Sequence, residues 1–316
     1  MQTASQRRTW LVAGLGLLVA VVLVLSSALV PDIPVEQLLP AYANGASKFI
    51  DIDGLRVHYR DEGAGPPLLL LHGTGASLHT WDAWAAALAP KYRVVRMDLP
   101  GFGLTGPSRA GDYSAAAYVA FLEAFRKAMG LSNFALAGNS LGGQVAWNYA
   151  VAHPDVVTDL ILVDAAGFKI ENPALVFRLA RIPLLSKLLA ALDPGPMVRK
   201  SLRDAYGDPS KVTPEVVERY RRLALRAGNR DAFVARAQQP EPDRTATLPG
   251  IRARTLLLWG DKDRLIPVSN AQRFAQAIPG AQLIVYQGVG HVPMEEIGER
   301  SAADVDAFLS RPAAAN

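Results

Sequence analysis

Apolar residues follow three different patterns along this chain. Trp10 to Val30 is uncharged and almost wholly apolar, long enough to cross a bilayer as one helix. From Lys48 onward, short and nearly continuous apolar runs alternate with longer stretches of helical periodicity, which predicts strands and helices in turn. Between Phe168 and Leu248 that alternation stops, and helical segments punctuated by prolines from Pro173 to Pro242 replace it.

The second pattern opens with a hairpin. Phe49 to Ile52 and Leu55 to Tyr59 flank Asp53-Gly54, a two-residue turn that joins antiparallel strands. Further strands are predicted at Pro67 to Leu71, Tyr92 to Met97, Asn133 to Ala137, Val157 to Val163, Arg254 to Trp259 and Gln282 to Tyr286. Helices are predicted at Trp81 to Leu88, Ala115 to Met129, Leu141 to Ala152, Asn270 to Ile278 and Ser301 to Leu309. Strands as apolar as Leu68-Leu69-Leu70-Leu71 and Leu160-Ile161-Leu162-Val163 belong to a mostly parallel sheet flanked by helices on both faces, so the class is α/β. The helical stretch 168–248 reads as an inserted cap on a core formed by 48–167 and 249–316.

The ends of the apolar N-terminal run carry charge of opposite sign. Arg7 and Arg8 precede it, and Asp32 and Glu36 follow it, which places residues 1–9 in the cytoplasm, makes 10–30 a single-pass signal-anchor, and puts the body outside the cytoplasm, periplasmic or extracellular. Cleavage near Ser26-Ser27-Ala28 and secretion is the alternative; the run exceeds a signal-peptide core of about 7 to 15 residues, which favours retention. Residues 31–47, with Pro31, Pro34 and Pro40, read as an extended linker.

Composition narrows the chemistry. The chain has 316 residues, half of them hydrophobic, enough for a large core. It has no cysteine, so disulfides, thiolate catalysis and sulfur-ligated metals are excluded. The net charge of +4 is small, and no basic run is interleaved with aromatics, so nucleic acid is not an expected partner. Residues 168–248 hold fifteen Lys or Arg against nine Asp or Glu, while the remainder is slightly acidic. A solvated helical surface accounts for that excess; attraction to an anionic membrane surface or an acidic substrate is the sharper reading.

The most specific motif is Ala135-Leu136-Ala137-Gly138-Asn139-Ser140-Leu141-Gly142-Gly143, where Gly-x-Ser-x-Gly lies between a predicted strand and a predicted helix. A serine on such a turn is lifted toward substrate, the glycines leave room for the crowded backbone, and the Leu141 N–H points toward any oxyanion beside it. Ser140 needs a base. Of five histidines, His291 in Gly288-Val289-Gly290-His291-Val292-Pro293 follows the last predicted strand; His58 and His153 read as structural, and His79 is a weaker alternative. A carboxylate must orient the imidazole, and Asp261, Asp263 and Asp164 all follow strand C-termini, where α/β active sites gather.

With Ser140, an acid and His291 in that chain order, the sequence resembles the α/β-hydrolase-fold serine hydrolases from roughly Lys48 to the C-terminus. The resemblance implies an α/β-hydrolase fold and selects Asp263, the last residue of Gly260-Asp261-Lys262-Asp263, as the acid. It also makes His72-Gly73-Thr74-Gly75 the oxyanion loop, with the Thr74 N–H joining that of Leu141 and His72 holding the loop. Gly101-Phe102-Gly103-Leu104-Thr105-Gly106 matches a dinucleotide-binding string, but Pro107 and Ser108 follow and no helix opens there; Asp98 to Gly103 resembles a structural loop of the family. No metal-binding or Walker motif is present, and neither cofactor nor metal is expected.

The expected activity is hydrolysis of small-molecule or lipid carboxylic esters through an acyl-enzyme. Two alternatives stand beside it. Gly138-Asn139-Ser140-Leu141-Gly142-Gly143 also resembles the elbow of carbon–carbon bond hydrolases acting on ring-fission products, although Thr74-Gly75-Ala76-Ser77 lacks their Gly-Pro-Gly extension. The other is a non-catalytic binding module on a hydrolase scaffold. Serine at the elbow, where haloalkane dehalogenases and most epoxide hydrolases of this fold place aspartate, argues against those chemistries.

Overall fold

Alternate residues of the central strands face two different cores. In the computed structural model, which describes residues 28–169, 175–239 and 242–311, the strand β3 (Pro67–Leu71) sends Leu69 and Leu71 to one side and Leu68 and Leu70 to the other, all four fully buried. A strand covered on both faces needs apolar residues at every position, which is why its sequence shows no polar alternation.

Eight strands form one sheet in the order β1-β2-β4-β3-β5-β6-β7-β8. The hairpin β1 (Ser47–Ile52) and β2 (Leu55–Glu62) is antiparallel and turns at Asp53 (φ 52°) and Gly54 (φ 77°), the left-handed pair that such a turn requires. β2 also runs antiparallel to β4 (Arg93–Met97), and from there β3, β5 (Phe134–Asn139), β6 (Val157–Val163), β7 (Arg254–Gly260) and β8 (Gln282–Tyr286) are parallel. The chain reverses its direction of travel across the sheet between β3 and β5. At such a switch point the strand C-termini leave a crevice.

Helices cover both faces. Following α1 (Val35–Tyr42) and α2 (Asp82–Leu88), the helices α3 (Ala115–Ala128) and α4 (Leu141–Ala152) bury Leu122, Phe125, Val145 and Tyr149 on one face of the sheet. On the other face α2 packs Trp84 with Trp81 against Leu68 and Leu70. Between β6 and β7 the chain leaves the sheet for α5 (Leu175–Ala180), α6 (Pro183–Ala191), α7 (Gly195–Ala205), α8 (Pro214–Ala224) and α9 (Asn229–Gln238). It returns through α10 (Ser269–Ala277), α11 (Pro293–Glu296) and α12 (Gly298–Leu309), which flank β8.

The predicted membrane segment lies outside the described residues except for its last three. Among the described residues no helix is long and apolar enough to cross a membrane. The stretch expected to be an extended linker is ordered instead. Residues 28–33 lie along the inserted helices: Leu29 bridges Leu192, the Ile33 N–H donates to the Leu225 carbonyl (2.7 Å) and the Ala227 N–H donates to that of Ile33 (2.9 Å). Then α1 forms because Val35, Leu38, Leu39 and Tyr42 recur on one helical face; Leu38 is fully buried with Leu104 and Leu223. Pro34 sits at the N-cap and Pro40 lies inside the helix, so the prolines that suggest an extended tether here do not keep the chain extended.

One buried polar cluster ties this region to the sheet. The Asp98 carboxylate accepts from His58 Nδ1 (2.8 Å) and from the N–H groups of Leu78 (2.7 Å) and Leu104 (2.8 Å). His79, beside it, bonds Ser77 Oγ (3.0 Å), and burial pushes its pKa down to about 4, with Asp98 opposing and Arg60 adding to the shift. Below an ordinary value of 6.5 the unfolded chain takes up a proton that folded His79 refuses until about pH 4, so stability is lost as pH falls through that window. The melting temperature of His79→Gln is therefore expected to fall less between pH 7 and about 4 than that of the wild type; equal slopes in thermal melts across that range would remove His79 from the acid response.

Candidate active site

Ser140 occupies the single residue between β5 and α4, with φ 53° and ψ −115°, a region that costs a non-glycine residue about 1–3 kcal/mol. Neighbouring bonds hold it there. Its N–H donates to the Val163 carbonyl (3.1 Å), and its own carbonyl accepts from the N–H groups of Gln144 and Ala166, both at 3.0 Å. The glycines of the motif answer to crowding. A Cβ on Gly138 would lie 2.2 Å from the Gly142 carbonyl oxygen, and one on Gly142 would lie 2.1 Å from that of Leu71 in β3.

His291 stands on the loop after β8. Its Nδ1 is 2.6 Å from Asp263 Oδ2, and both residues are buried. The other carboxylate oxygen of Asp263 accepts from the N–H groups of Leu265 (2.7 Å) and Ile266 (2.9 Å), so the acid is fixed on both sides. Asp263 therefore accepts a hydrogen bond from the Nδ1–H of His291, a tautomer that leaves the Nε2 lone pair free to act as a base. Asp261 is engaged elsewhere, accepting from the Gly288 N–H (2.7 Å). Asp164, at the end of β6, is fully buried, accepts from the Gly260 N–H (2.9 Å), and meets no other protein N–H. Burial and the adjacent Asp263 carboxylate raise its pKa well above its ordinary value.

Asp164, Asp263 and His291 place one ligand atom each within 4.8 Å of one another, the sort of set that can hold a cation. Its chemistry fits poorly. Asp263 is committed to three donors, and Asp164 already accepts from the Gly260 N–H. The cluster reads as a hydrogen-bonded acid–imidazole pair with a second, buried acid behind it.

The loop after β3 lies against the serine: a Cβ on Gly73 would come within 3.1 Å of Ser140 Cβ. His72 is fully buried, its Nδ1 bonded to the Gly73 carbonyl (2.8 Å) and its Nε2 to the Leu99 N–H (3.0 Å), which makes it a neutral brace for the loop. Burial lowers its pKa, in keeping with that state. Among the described residues the N–H groups of Thr74 and Leu141 have no acceptor, so both are available at the elbow. His79 and His58 belong to the Asp98 cluster, and His153 stacks on Tyr149 with ring centroids 4.4 Å apart. The loop carrying Gly101 to Gly106 closes on itself through the Gly101 N–H and the Gly106 carbonyl (2.6 Å), and the next helix begins only at Ala115.

Three supporting residues escaped the sequence reading. Asn139 Nδ2 donates to the His291 carbonyl (2.9 Å) and to that of Val163 (3.1 Å), fastening the histidine loop to the elbow strand. Glu296 accepts from the Gly290 N–H (2.9 Å) and the Asp208 N–H (3.0 Å). Glu295 accepts from Thr80, Tyr206, Tyr220 and Arg219, and so joins α7 and α8 to the same loop. Their signal was present as a polar residue in an apolar strand and a Glu pair in an apolar stretch.

Known proteins are similar to this chain in sequence and in fold. Residues 66–296 match the model of a family described as the alpha/beta hydrolase fold. The chain is 32% identical to Lipase 1 of Psychrobacter immobilis, covering 81% of each chain. It is 30% identical to 2-hydroxymuconate semialdehyde hydrolase of Pseudomonas putida, over 81% of this chain and 92% of that one. A solved structure of a membrane phospholipase A, described as a bacterial virulence factor, superposes with a TM-score of 0.71 at 30% identity over 95% of this chain and 98% of its own. A family match spanning most of the chain, on a sheet with the serine at its switch point and the histidine after its last strand, makes this protein a member of the α/β-hydrolase family and a hydrolase.

Proposed function

We propose that the protein is a serine esterase acting on acyl esters, held at a membrane by residues 10–30 with its body outside the cytoplasm. The observation that carries the chemistry is the His291–Asp263 bond of 2.6 Å, at the end of the sheet formed by the C-termini of the parallel strands, where Ser140 occupies a strained turn against the Gly73–Thr74 loop. Ser140 Oγ attacks the acyl carbonyl as His291 Nε2 takes its proton. Asp263 stabilises the imidazolium, and the Thr74 and Leu141 N–H groups receive the oxyanion. The protonated histidine then gives its proton to the leaving alcohol, and water activated by the same nitrogen releases the acid.

An ester is favoured over a carbon–carbon bond by the short Thr74-Gly75-Ala76-Ser77 loop, and by similarity to a lipase and to a membrane phospholipase. Similarity to a semialdehyde hydrolase keeps the second reading specific enough to test. The full-length chain in detergent, assayed with p-nitrophenyl esters from acetate to palmitate and with 2-hydroxymuconate semialdehyde, separates the two. Saturable ester turnover with a chain-length optimum is expected. Turnover of the semialdehyde alone would replace the ester reading.

A further inference from the structure

The largest exposed apolar side chains among the described residues gather around α5, α6 and the end of the N-terminal run. Leu184 is 80% exposed and Leu175 62%, with Ile182, Leu185, Leu188 and Leu29 also open to solvent. Leucines of a helical pair are normally buried between the helices; here several are exposed on two consecutive helices, a clustering along the chain that soluble surfaces avoid.

Charge on the same stretch has one sign. From residue 172 to 192 the sequence contains Arg178, Arg181 and Lys187 and no acid, and all three cations are exposed. None forms an ion pair with a described carboxylate. Two described acids at the margins of this stretch are paired, Asp193 with Arg221 (2.8 Å) and Asp32 with Arg230 (2.7 Å). Leucines interspersed with Lys and Arg on a helical surface are the composition of elements that lie in the plane of a bilayer interface.

The route of the chain supplies the occupant. The apolar run 10–30 ends at this patch: the Val30 N–H donates to the Ala191 carbonyl (3.1 Å), and the Asp193 N–H donates to that of Ala28 (2.8 Å). A bilayer-spanning segment leaving residue 28 would surface beside the C-terminal end of α6. We infer that the exposed leucine and basic face of α5–α6 docks on an anionic phospholipid surface, seating the inserted helices on the membrane that anchors the chain. The inference rests on the membrane attachment proposed above. Each docked leucine would settle within roughly 5–10 Å of the headgroup–acyl boundary, and the cations would meet lipid phosphates.

The absence of native cysteine makes the test clean. Full-length chains carrying Leu184→Cys, Leu188→Cys or, on α3 and away from the patch, Lys127→Cys are labelled with an environment-sensitive fluorophore and reconstituted in phosphatidylcholine–phosphatidylglycerol vesicles. A blue shift and severalfold stronger quenching by headgroup-region nitroxide lipids at 184 and 188 than at 127 are expected, weakened when phosphatidylglycerol is omitted. Three results would overturn the inference: emission at 184 and 188 equal to that at 127, a blue shift without nitroxide quenching, which means coverage by protein, or quenching indifferent to phosphatidylglycerol. Flotation of the same vesicles tests attachment by itself. A chain that does not float loses both the anchor and the docking, whereas one that floats with 184 and 188 in water loses the docking alone.

Discussion

Replacing Ser140 with alanine is expected to lower ester turnover by roughly 10⁴- to 10⁶-fold, leaving the residual rate that binding and the oxyanion donors supply. The size follows from the geometry. Without Oγ there is no nucleophile for His291 to activate, and the Thr74 and Leu141 N–H groups have no tetrahedral intermediate to hold. Because the residues act as a unit, adding His291→Ala to Ser140→Ala is expected to cost almost nothing more, although either alone costs nearly the whole. Steady-state rates for the two single variants and the double variant check this, with far-ultraviolet circular dichroism to establish that each is folded. Strictly additive losses, or an active Ser140→Ala, would place the chemistry on other residues.

The second large effect is on folding. Gly142→Ala would put a methyl carbon 2.1 Å from the Leu71 carbonyl oxygen and 2.7 Å from that of His72, both backbone atoms. Leu71 is the last residue of β3, paired on both sides with Met97 of β4 and Gly138 of β5, so its carbonyl cannot retreat without disturbing the sheet. A loss of about 4 kcal/mol or more is expected, a large share of the stability of an ordinary domain. Gly45→Ala, whose new carbon would meet nothing within 4 Å, is expected to be nearly neutral. Thermal melts of the two variants beside the wild type check the contrast; a Gly142→Ala protein melting like the wild type would mean that the β3–α4 approach is looser than the backbone positions require.

The strands were readable because local and global demands coincide in them. A run such as Leu68 to Leu71 can only be a doubly covered strand or a buried helix, and flanking turn residues exclude the helix. β3, β6 and β8 match the expected ranges residue for residue, whereas β5 reaches two residues further, to Asn139, because polar Asn139 and Gly138 were assigned to the turn. Helix α1 was missed because prolines at 34 and 40 outweighed a two-turn apolar face whose partners, Leu104 and Leu223, lie far away in the chain. The same limit applies at the site. Ser140 and His291 announce themselves through local motifs, but three acids at strand ends are equivalent until the fold shows which one faces the imidazole, and residues alone did not distinguish them. Asn139, Glu295 and Glu296 act across separations that no short motif spans.

The bonds of residues 28–33 to Leu192, Leu225 and Ala227 also bear on protein engineering. Transplanting the helices between β6 and β7 from a relative would strip residues 28–33 of their backbone partners and Leu38 of Leu223. The exchangeable unit is therefore discontinuous: residues 28–42 must travel with the insertion, and a chimera that moves one without the other inherits two half-built edges.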